Sequence, residues 1–160
     1  MSRFPKTSFI QRAIAGSIAG LVGGLCHLAV NEIDRRAFNH NADDITMLGG
    51  IITDDHELAR KIGLGMHLSF AISFGAAYAT ILHPRGEDDA MRKAVGAAMV
   101  ENFGLYPLVF PLEDRHPYIR DGRLDRFAHP LALLQATLRH LALGTGIGKA
   151  YPATLRLIRR

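Results

Sequence analysis

Four stretches of the chain, each about twenty residues long, carry almost no formal charge, and charged segments separate them. They cover residues 13–31, 62–82, 94–112 and 130–148. A helix rises about 1.5 Å per residue, so a stretch of this length crosses the roughly 30 Å hydrocarbon layer of a bilayer. Four such stretches leave too little of a 160-residue chain for a separate soluble domain. The pattern therefore predicts that the lipid bilayer surrounds this protein.

A soluble helical domain is the alternative, and a hydrophobic fraction of 48% would allow it. The charges are segregated, however, and residues 62–82 contain no formally charged side chain. A surface helix of a soluble domain carries a polar face along its length. The hydroxyls of Ser69, Ser73 and Thr80 can bond to the helix backbone, so they do not oppose insertion into a membrane.

The predicted fold is an all-α, polytopic membrane protein with a single domain over residues 1–160. Its four transmembrane helices cover about residues 12–33, 62–82, 93–112 and 130–152, arranged as two tandem helical hairpins. The first long connection begins with two acidic residues followed by spaced apolar ones. This pattern predicts an interfacial segment at about residues 43–60.

The distribution of basic residues predicts that both termini are cytoplasmic, because Lys and Arg beside membrane helices favour that side. Three segments on one side of the topology carry Arg3, Lys6, Arg12, Arg85, Arg92, Lys93, Arg156, Arg159 and Arg160. In the two connections on the other side, acidic residues match or exceed basic ones. The net charge of +4 thus reflects orientation, and no basic patch interleaved with aromatic residues favours nucleic-acid binding.

The two halves of the chain resemble each other, which predicts a pseudo-twofold internal repeat. Residues 12–36 align with residues 92–116. The second and fourth helices share the pattern H-x3-small-x3-G-x2-Y, in which His67 and Tyr78 correspond to His140 and Tyr151.

Small residues recur at three- and four-residue spacing in the predicted helices, and such stripes let helices approach closely in lipid. The glycines expected to pack helices are Gly16, Gly20, Gly24, Gly75, Gly144 and Gly148. They would pack helices within the bundle or between subunits. A homo-oligomer, or a subunit of a larger membrane complex, is therefore expected.

Polar side chains inside a membrane are costly, so each is a candidate for function. The candidates are His27, Asn31, Asp34, His67, Glu101, Asn102, Tyr106, Arg139 and His140. Counting from the helix ends places the three histidines at one level, roughly 9–11 Å below the outer boundary. Glu101 is deeper, and an ion pair between Glu101 and Arg139 on the next helix would compensate its charge.

Several roles are open for the three histidines. They could hydrogen-bond to neighbouring helices and fix the packing. They could, with Glu101, relay protons or line a path for a small ion. His27, His67 or His140 could ligate haem b, and the three together could bind a transition metal.

No established catalytic motif occurs in the chain: there is no G-x-S-x-G, no H-E-x-x-H and no C-x2-C, and Cys26 is the single cysteine. The sequence therefore favours a non-enzymatic role. The leading hypothesis is a helix-packing or accessory module of a membrane assembly. The alternative is a proton or small-ion conduit, or a haem-binding membrane subunit.

Three motifs resemble the YagU-like family of small bacterial inner-membrane proteins. The second helix reads G-x-G-x-H-x-x-F from Gly63 to Phe70, the third begins with A-V-G-A-A at residues 94–98, and the fourth contains R-H-L-A-L-G at residues 139–144. The resemblance implies a four-helix protein of the bacterial inner membrane and assigns no catalytic residue. The two outer connections do not share it.

Overall fold

The computed structural model describes residues 8–159, and every regular element in this range is helical. The helices are α1 (Phe9–Ala37), α2 (Asp44–Gly50), α3 (His56–Ile81), α4 (Glu87–Leu105), α5 (Phe110–Glu113), α6 (Pro117–Arg120) and α7 (Pro130–Ile158). A 3-10 turn, Tyr106–Leu108, joins α4 to α5. The predicted all-α fold class is therefore confirmed. Arg3, Lys6 and Arg160, used above to predict orientation, lie outside the described residues.

Two of the helices within residues 8–159, α1 and α3, are long and apolar enough to cross a membrane. The predicted third and fourth spans lie in α4 and α7, and neither helix contains a stretch of 18 residues that is as apolar as those in α1 and α3. α4 begins with three acidic residues, Glu87, Asp88 and Asp89, and α7 contains Gln135 and Arg139. These polar residues lower the hydropathy of both helices.

The four long helices form a row in the order α3, α1, α7, α4. α1 packs against both α3 and α7, α4 packs against α7, and the short α2 packs against α3. The two outer helices of the row, α3 and α4, make few contacts with each other. They meet near one end, where the hydroxyl of Tyr78 donates a hydrogen bond of 2.7 Å to the carbonyl of Ala90. The row is therefore curved, with a gap between α3 and α4 towards the other end.

The glycines singled out in the sequence lie where helices touch. A side chain on Gly20 would meet the backbone of Ala71 and Gly75, and one on Gly24 would meet Ala71. Gly144 lies against Val95 of α4 in the same way. Gly16 faces Gly75, and Gly148 faces Met91. These six glycines are used for packing inside the chain.

The helices differ from the predicted ranges in three places. The third helix was expected over 93–112, but α4 ends at Leu105, and the 3-10 turn and α5 follow, where Pro107 and Pro111 lack backbone donors. The interfacial segment was expected over 43–60, but α2 ends at Gly50 and α3 begins at His56, where Asp55 caps the helix. The fourth helix continues past residue 152 to Ile158, with Pro152 inside it.

The two long connections pack together as a cap over one end of the row. A second apolar core lies there, formed by Ala42, Ala59, Tyr118, Leu124, Phe127 and Ala132. The backbone N–H of Asn41 donates a hydrogen bond of 2.6 Å to the Asp125 carboxylate. The Arg123 guanidinium lies 3.7 Å from the centre of the Tyr118 ring. His116 is buried here, with its Nε2 2.9 Å from the carbonyl of Met47.

Candidate functional site

The histidines of α1, α3 and α7 meet beneath the cap. The ring centres of His27 and His67 are 4.5 Å apart, and those of His27 and His140 are 5.3 Å apart. His27 is 3% exposed, and the Nε2 of His67 lies 3.3 Å from the carbonyl oxygen of Gly24. The structure thus brings together three residues that the sequence placed at one level on three helices.

Two members of this histidine cluster, the central His27 and the terminal His140, contact carboxylates. The Nε2 of His140 lies 2.7 Å from Oε2 of Glu101 on α4. The Nε2 of His27 lies 3.5 Å from Oδ2 of Asp44, the first residue of α2. Glu101 is therefore paired with a histidine, and the ion pair that the sequence allowed between Glu101 and Arg139 does not form.

Arg139 is instead held by the acidic residues near the cap. Its guanidinium binds both oxygens of Asp34, and it also lies 3.0 Å from Asp44 and donates to the carbonyl of Ala42 at 2.7 Å. Gln135 donates to Asp34 at 3.0 Å from one turn earlier in α7. Arg139 and Asp34 are 1% and 3% exposed, so the pair is buried and satisfied by several hydrogen bonds.

Asp43 fixes the position of α2 and therefore of Asp44. Its side chain caps α2 and accepts hydrogen bonds from Asn31 at 3.1 Å and Thr46 at 2.7 Å, and it forms an ion pair with Arg35. Burial raises the pKa of Asp43, but the bonds from Thr46 and Asn31 and the charge of Arg35 outweigh it, so the pKa lies below its usual value. Asn31 thus supports the cap and does not line the cavity described next.

A cavity of about 430 Å³ lies in the gap between α3 and α4, beside the histidine cluster. Its polar wall contains His27, Asp44, His67, Glu101, Asn102 and His140. The rest of the wall is formed by Met47, Leu48, Phe70, Ala71, Phe74, Leu105, Tyr106, Val109, Phe127, Ala136 and Leu143. A mostly apolar cavity with a few polar groups at one place is typical of a small-molecule binding site.

The other two predicted polar residues help to shape this wall. Asn102 is buried and donates to the hydroxyl of Thr137 at 3.3 Å, which ties α4 to α7. The hydroxyl of Tyr106 donates to the carbonyl of Phe127 in the cap. Both residues line the cavity, and their polar atoms are used to hold neighbouring segments.

One polar atom of the cluster has no partner. Nδ1 of His27 is buried and makes no hydrogen bond to any described residue. An unpaired buried polar atom is costly, on the order of 1–3 kcal/mol, so such atoms are rare unless a ligand or a water molecule completes them.

The arrangement of donors bears on the metal and haem hypotheses. Within residues 8–159, no group of three or more His, Cys, Asp or Glu side chains is placed to hold a metal ion. The rings of His27, His67 and His140 are in contact, so no macrocycle fits between any adjacent pair of them without moving the rings apart. The geometry therefore favours hydrogen bonding by these histidines over haem ligation by two of them.

Some residues of the site were not foreseen. Asp44 was interpreted only as part of an acidic helix start, and Gln135, Phe70 and Phe74 were not singled out. The spacing of Asp43 and Asp44 was the available signal, since adjacent residues at a helix start point to different sides. Comparisons with protein-family models, with curated proteins and with solved structures found no match to this chain.

Proposed function

We propose that this chain is a non-enzymatic integral membrane protein that binds a small, mostly apolar molecule in the cavity between α3 and α4. The histidine cluster and its two carboxylates would hold the polar end of that molecule. The observation that carries this proposal is the convergence of His27, His67 and His140 on one wall of an otherwise apolar cavity.

The distribution of polar and apolar residues supports a location in the membrane. His27, Asn31, Asp34, Gln135 and Arg139 are buried between helices. Large apolar side chains face outwards on all four long helices, among them Ile18, Leu25, Leu64, Phe70, Val100, Phe103, Leu134 and Leu141. Polar residues between helices and apolar residues outside suit a lipid solvent.

We further propose four spans, with α4 continued by the 3-10 turn and α5, in the bacterial inner membrane and with both termini cytoplasmic. Exposed apolar residues continue from Val100 through Leu105 and Leu108 to Leu112, which supports the third span. The resemblance to the YagU-like proteins and the positions of the basic residues support the membrane and the orientation.

An accessory role in a homo-oligomer or a larger membrane complex is the second candidate. Gly96 and Gly104 on α4 lie beside open space, and the exposed Val100 and Phe103 lie between them in the chain, so a second copy of the chain could approach there. The glycines used inside the chain are not free for this purpose. Chemical cross-linking in membranes tests it, and a chain that stays monomeric would remove the homo-oligomer.

A proton path across the whole molecule has less support. The contact between His140 and Glu101 favours proton exchange at the cavity. Towards the other end, however, the core between the helices consists mainly of alanine and larger apolar residues, among them Ala15, Ala19, Ala79, Ala94 and Ile147. Equal proton flux in liposomes with wild type and with Glu101→Gln would be the expected result.

The binding proposal is tested with a neutral aromatic probe, triphenylphosphine oxide, in detergent. A ligand at about 100 times its Kd adds about 2.7 kcal/mol of stability, so it should raise the Tm. We expect this rise for wild type and its loss in Ala136→Leu, which fills the cavity from α7. Ala153→Leu, at an exposed position of the same helix, is the matched control.

Membrane insertion is tested separately by resistance to an alkaline wash of the membrane fraction. Release of the chain into the wash, folded without detergent, would overturn the membrane proposal.

A further inference from the structure

We infer that the polar end of the bound molecule is cationic, so that the cavity takes lipid-soluble organic cations such as hydrophobic amines or quaternary ammonium compounds. This inference rests on the proposed function, since it names the ligand class of the same cavity. Two independent features carry it: the excess of carboxylates on the cavity wall and the aromatic rings of that wall.

The carboxylates of the cavity wall outnumber the fixed positive charges on it. Asp44 and Glu101 line the cavity, and Arg139 contacts Asp44 from behind the wall. Glu101 contacts His140, so its charge is compensated there only when His140 carries a proton. A partly buried carboxylate next to apolar walls is stabilised when a partner of opposite sign approaches.

The same balance argues against an anionic ligand. No Lys or Arg is among the described residues that line the cavity. Arg139 lies behind the wall, where its donors already serve Asp34, Asp44 and the carbonyl of Ala42. A carboxylate or phosphate group in the cavity would therefore meet Glu101 and Asp44 with no free guanidinium beside them.

Aromatic rings make up much of the apolar wall. Phe70 and Phe74 come from α3, Tyr106 from the 3-10 turn and Phe127 from the cap. The face of an aromatic ring attracts a cation, by about 0.5–1 kcal/mol where exposed and by about 2 kcal/mol where water is excluded. Rings on several sides of an apolar cavity with acidic groups at one end favour an organic cation over a neutral ligand.

The location of the cavity agrees with a lipid-soluble ligand. The position of the cavity between α3 and α4, which make few mutual contacts, suits a ligand that arrives from the lipid phase.

Three probes of similar aromatic shape and different charge test the inference: tetraphenylphosphonium, triphenylphosphine oxide and tetraphenylborate. Binding to the purified full chain in detergent is measured by equilibrium dialysis against protein-free micelles. We expect the cation to bind at least about tenfold more tightly than the neutral probe, a difference of about 1.4 kcal/mol, and the anion not to bind. Equal binding of the cation and the neutral probe would overturn the cation preference and leave the proposed function standing. Tighter binding of the anion would also overturn it. Failure of all three probes to bind would remove the proposed function as well.

Variants locate the cation within the chain. Glu101→Gln removes one charge from the wall and should weaken tetraphenylphosphonium binding about tenfold, with little effect on the neutral probe. Glu87→Gln, on the same helix but exposed and paired with Arg156, is the matched control and should change neither. Phe74→Leu keeps the volume apolar but removes one ring, and should weaken cation binding alone. Circular dichroism confirms that each variant is folded, and unchanged cation binding in both folded cavity variants would overturn the assignment to this cavity.

Discussion

The guanidinium of Arg139 binds both carboxylate oxygens of Asp34, although the two residues are 105 positions apart in the chain. The pair joins the end of α1 to the first half of α7 and is almost completely buried. Because Arg139 also contacts Asp44 and the carbonyl of Ala42, the same side chain holds the start of α2 against the bundle. This contact therefore positions the cap above the histidine cluster.

The first prediction concerns this buried pair. Arg139→Met should destabilise the chain by about 3–5 kcal/mol, because it leaves the Asp34 carboxylate buried without its partner. Adding Asp34→Leu to that variant should cost about 1–3 kcal/mol less than Asp34→Leu costs in the wild type, because the two residues are coupled. Thermal unfolding in detergent, followed by circular dichroism, measures both effects.

The control for this prediction is the exposed pair of Arg36 and Glu32 on α1. Arg36→Met should change stability by no more than about 1 kcal/mol, because solvent screens an exposed ion pair. Additive effects of Arg139→Met and Asp34→Leu would contradict the proposed coupling.

The second prediction compares two glycines in long helices. Gly75→Ala should destabilise the chain by about 1–3 kcal/mol, because the added methyl group would meet the backbone of Gly16 and Gly20. Gly96→Ala has open space around it and should stabilise α4 by about 0.5–1 kcal/mol through helix propensity. The midpoints of thermal unfolding of the two variants should therefore move in opposite directions. A loss of stability in both would mean that α4 is packed where the structure leaves it open.

Part of this architecture could be predicted from the sequence. Counting residues from the ends of the uncharged stretches placed His27, His67 and His140 at one level, and the structure brings their rings together. The glycine spacing indicated which helix faces touch, because a glycine leaves room for the backbone of a neighbouring helix. Both inferences depend only on the rise of a helix and the period of its faces.

The partners of the charged residues could not be predicted in the same way. The sequence allowed Arg139 to pair with Glu101, but Arg139 pairs with Asp34 and Asp44, and Glu101 contacts His140. Adjacent residues on a helix point about 100° apart, so the choice depends on how α7 is rotated against its neighbours. Spacing along one helix carries no information on that rotation. The role of Asp44 also depends on how the cap folds back over the bundle.

The third prediction concerns the two tyrosines where α3 meets α4. The rings of Tyr78 and Tyr151 are 5.7 Å apart, edge to face. Within residues 8–159, the hydroxyl of Tyr78 donates to the carbonyl of Ala90, whereas that of Tyr151 has no hydrogen-bond partner. Tyr78→Phe should destabilise the chain by about 0.5–1.5 kcal/mol. Tyr151→Phe, the matched control, should be neutral or slightly stabilising, because its buried hydroxyl is unpaired. Equal effects of the two substitutions on the Tm would show that the hydrogen bond from Tyr78 to Ala90 does not join α3 to α4.

The fourth prediction concerns pH and the cap. The folded-state pKa of Asp43 lies below its usual value, since the hydrogen bonds from Thr46 and Asn31 and the charge of Arg35 outweigh burial. A lowered carboxyl pKa contributes stability above the unfolded-state pKa of about 3.9, and that contribution is lost as the pH falls through the folded-state value. Asp43→Asn keeps a residue that can cap α2 but removes the charge. It should therefore cost about 1–3 kcal/mol at pH 7, and the gap between variant and wild type should narrow below about pH 4.

Unfolding midpoints of both proteins, measured from pH 7 down to about pH 3, give this comparison directly. Asp88→Asn removes an exposed carboxylate from the first turn of α4 and serves as the control, with an expected effect below about 1 kcal/mol at pH 7. A gap between Asp43→Asn and wild type that stays constant over this range would show that the charge of Asp43 does not stabilise the cap. The position of Asp44 beside His27 would then depend on the packing of α2 against α3 and on the contact of Asp44 with Arg139.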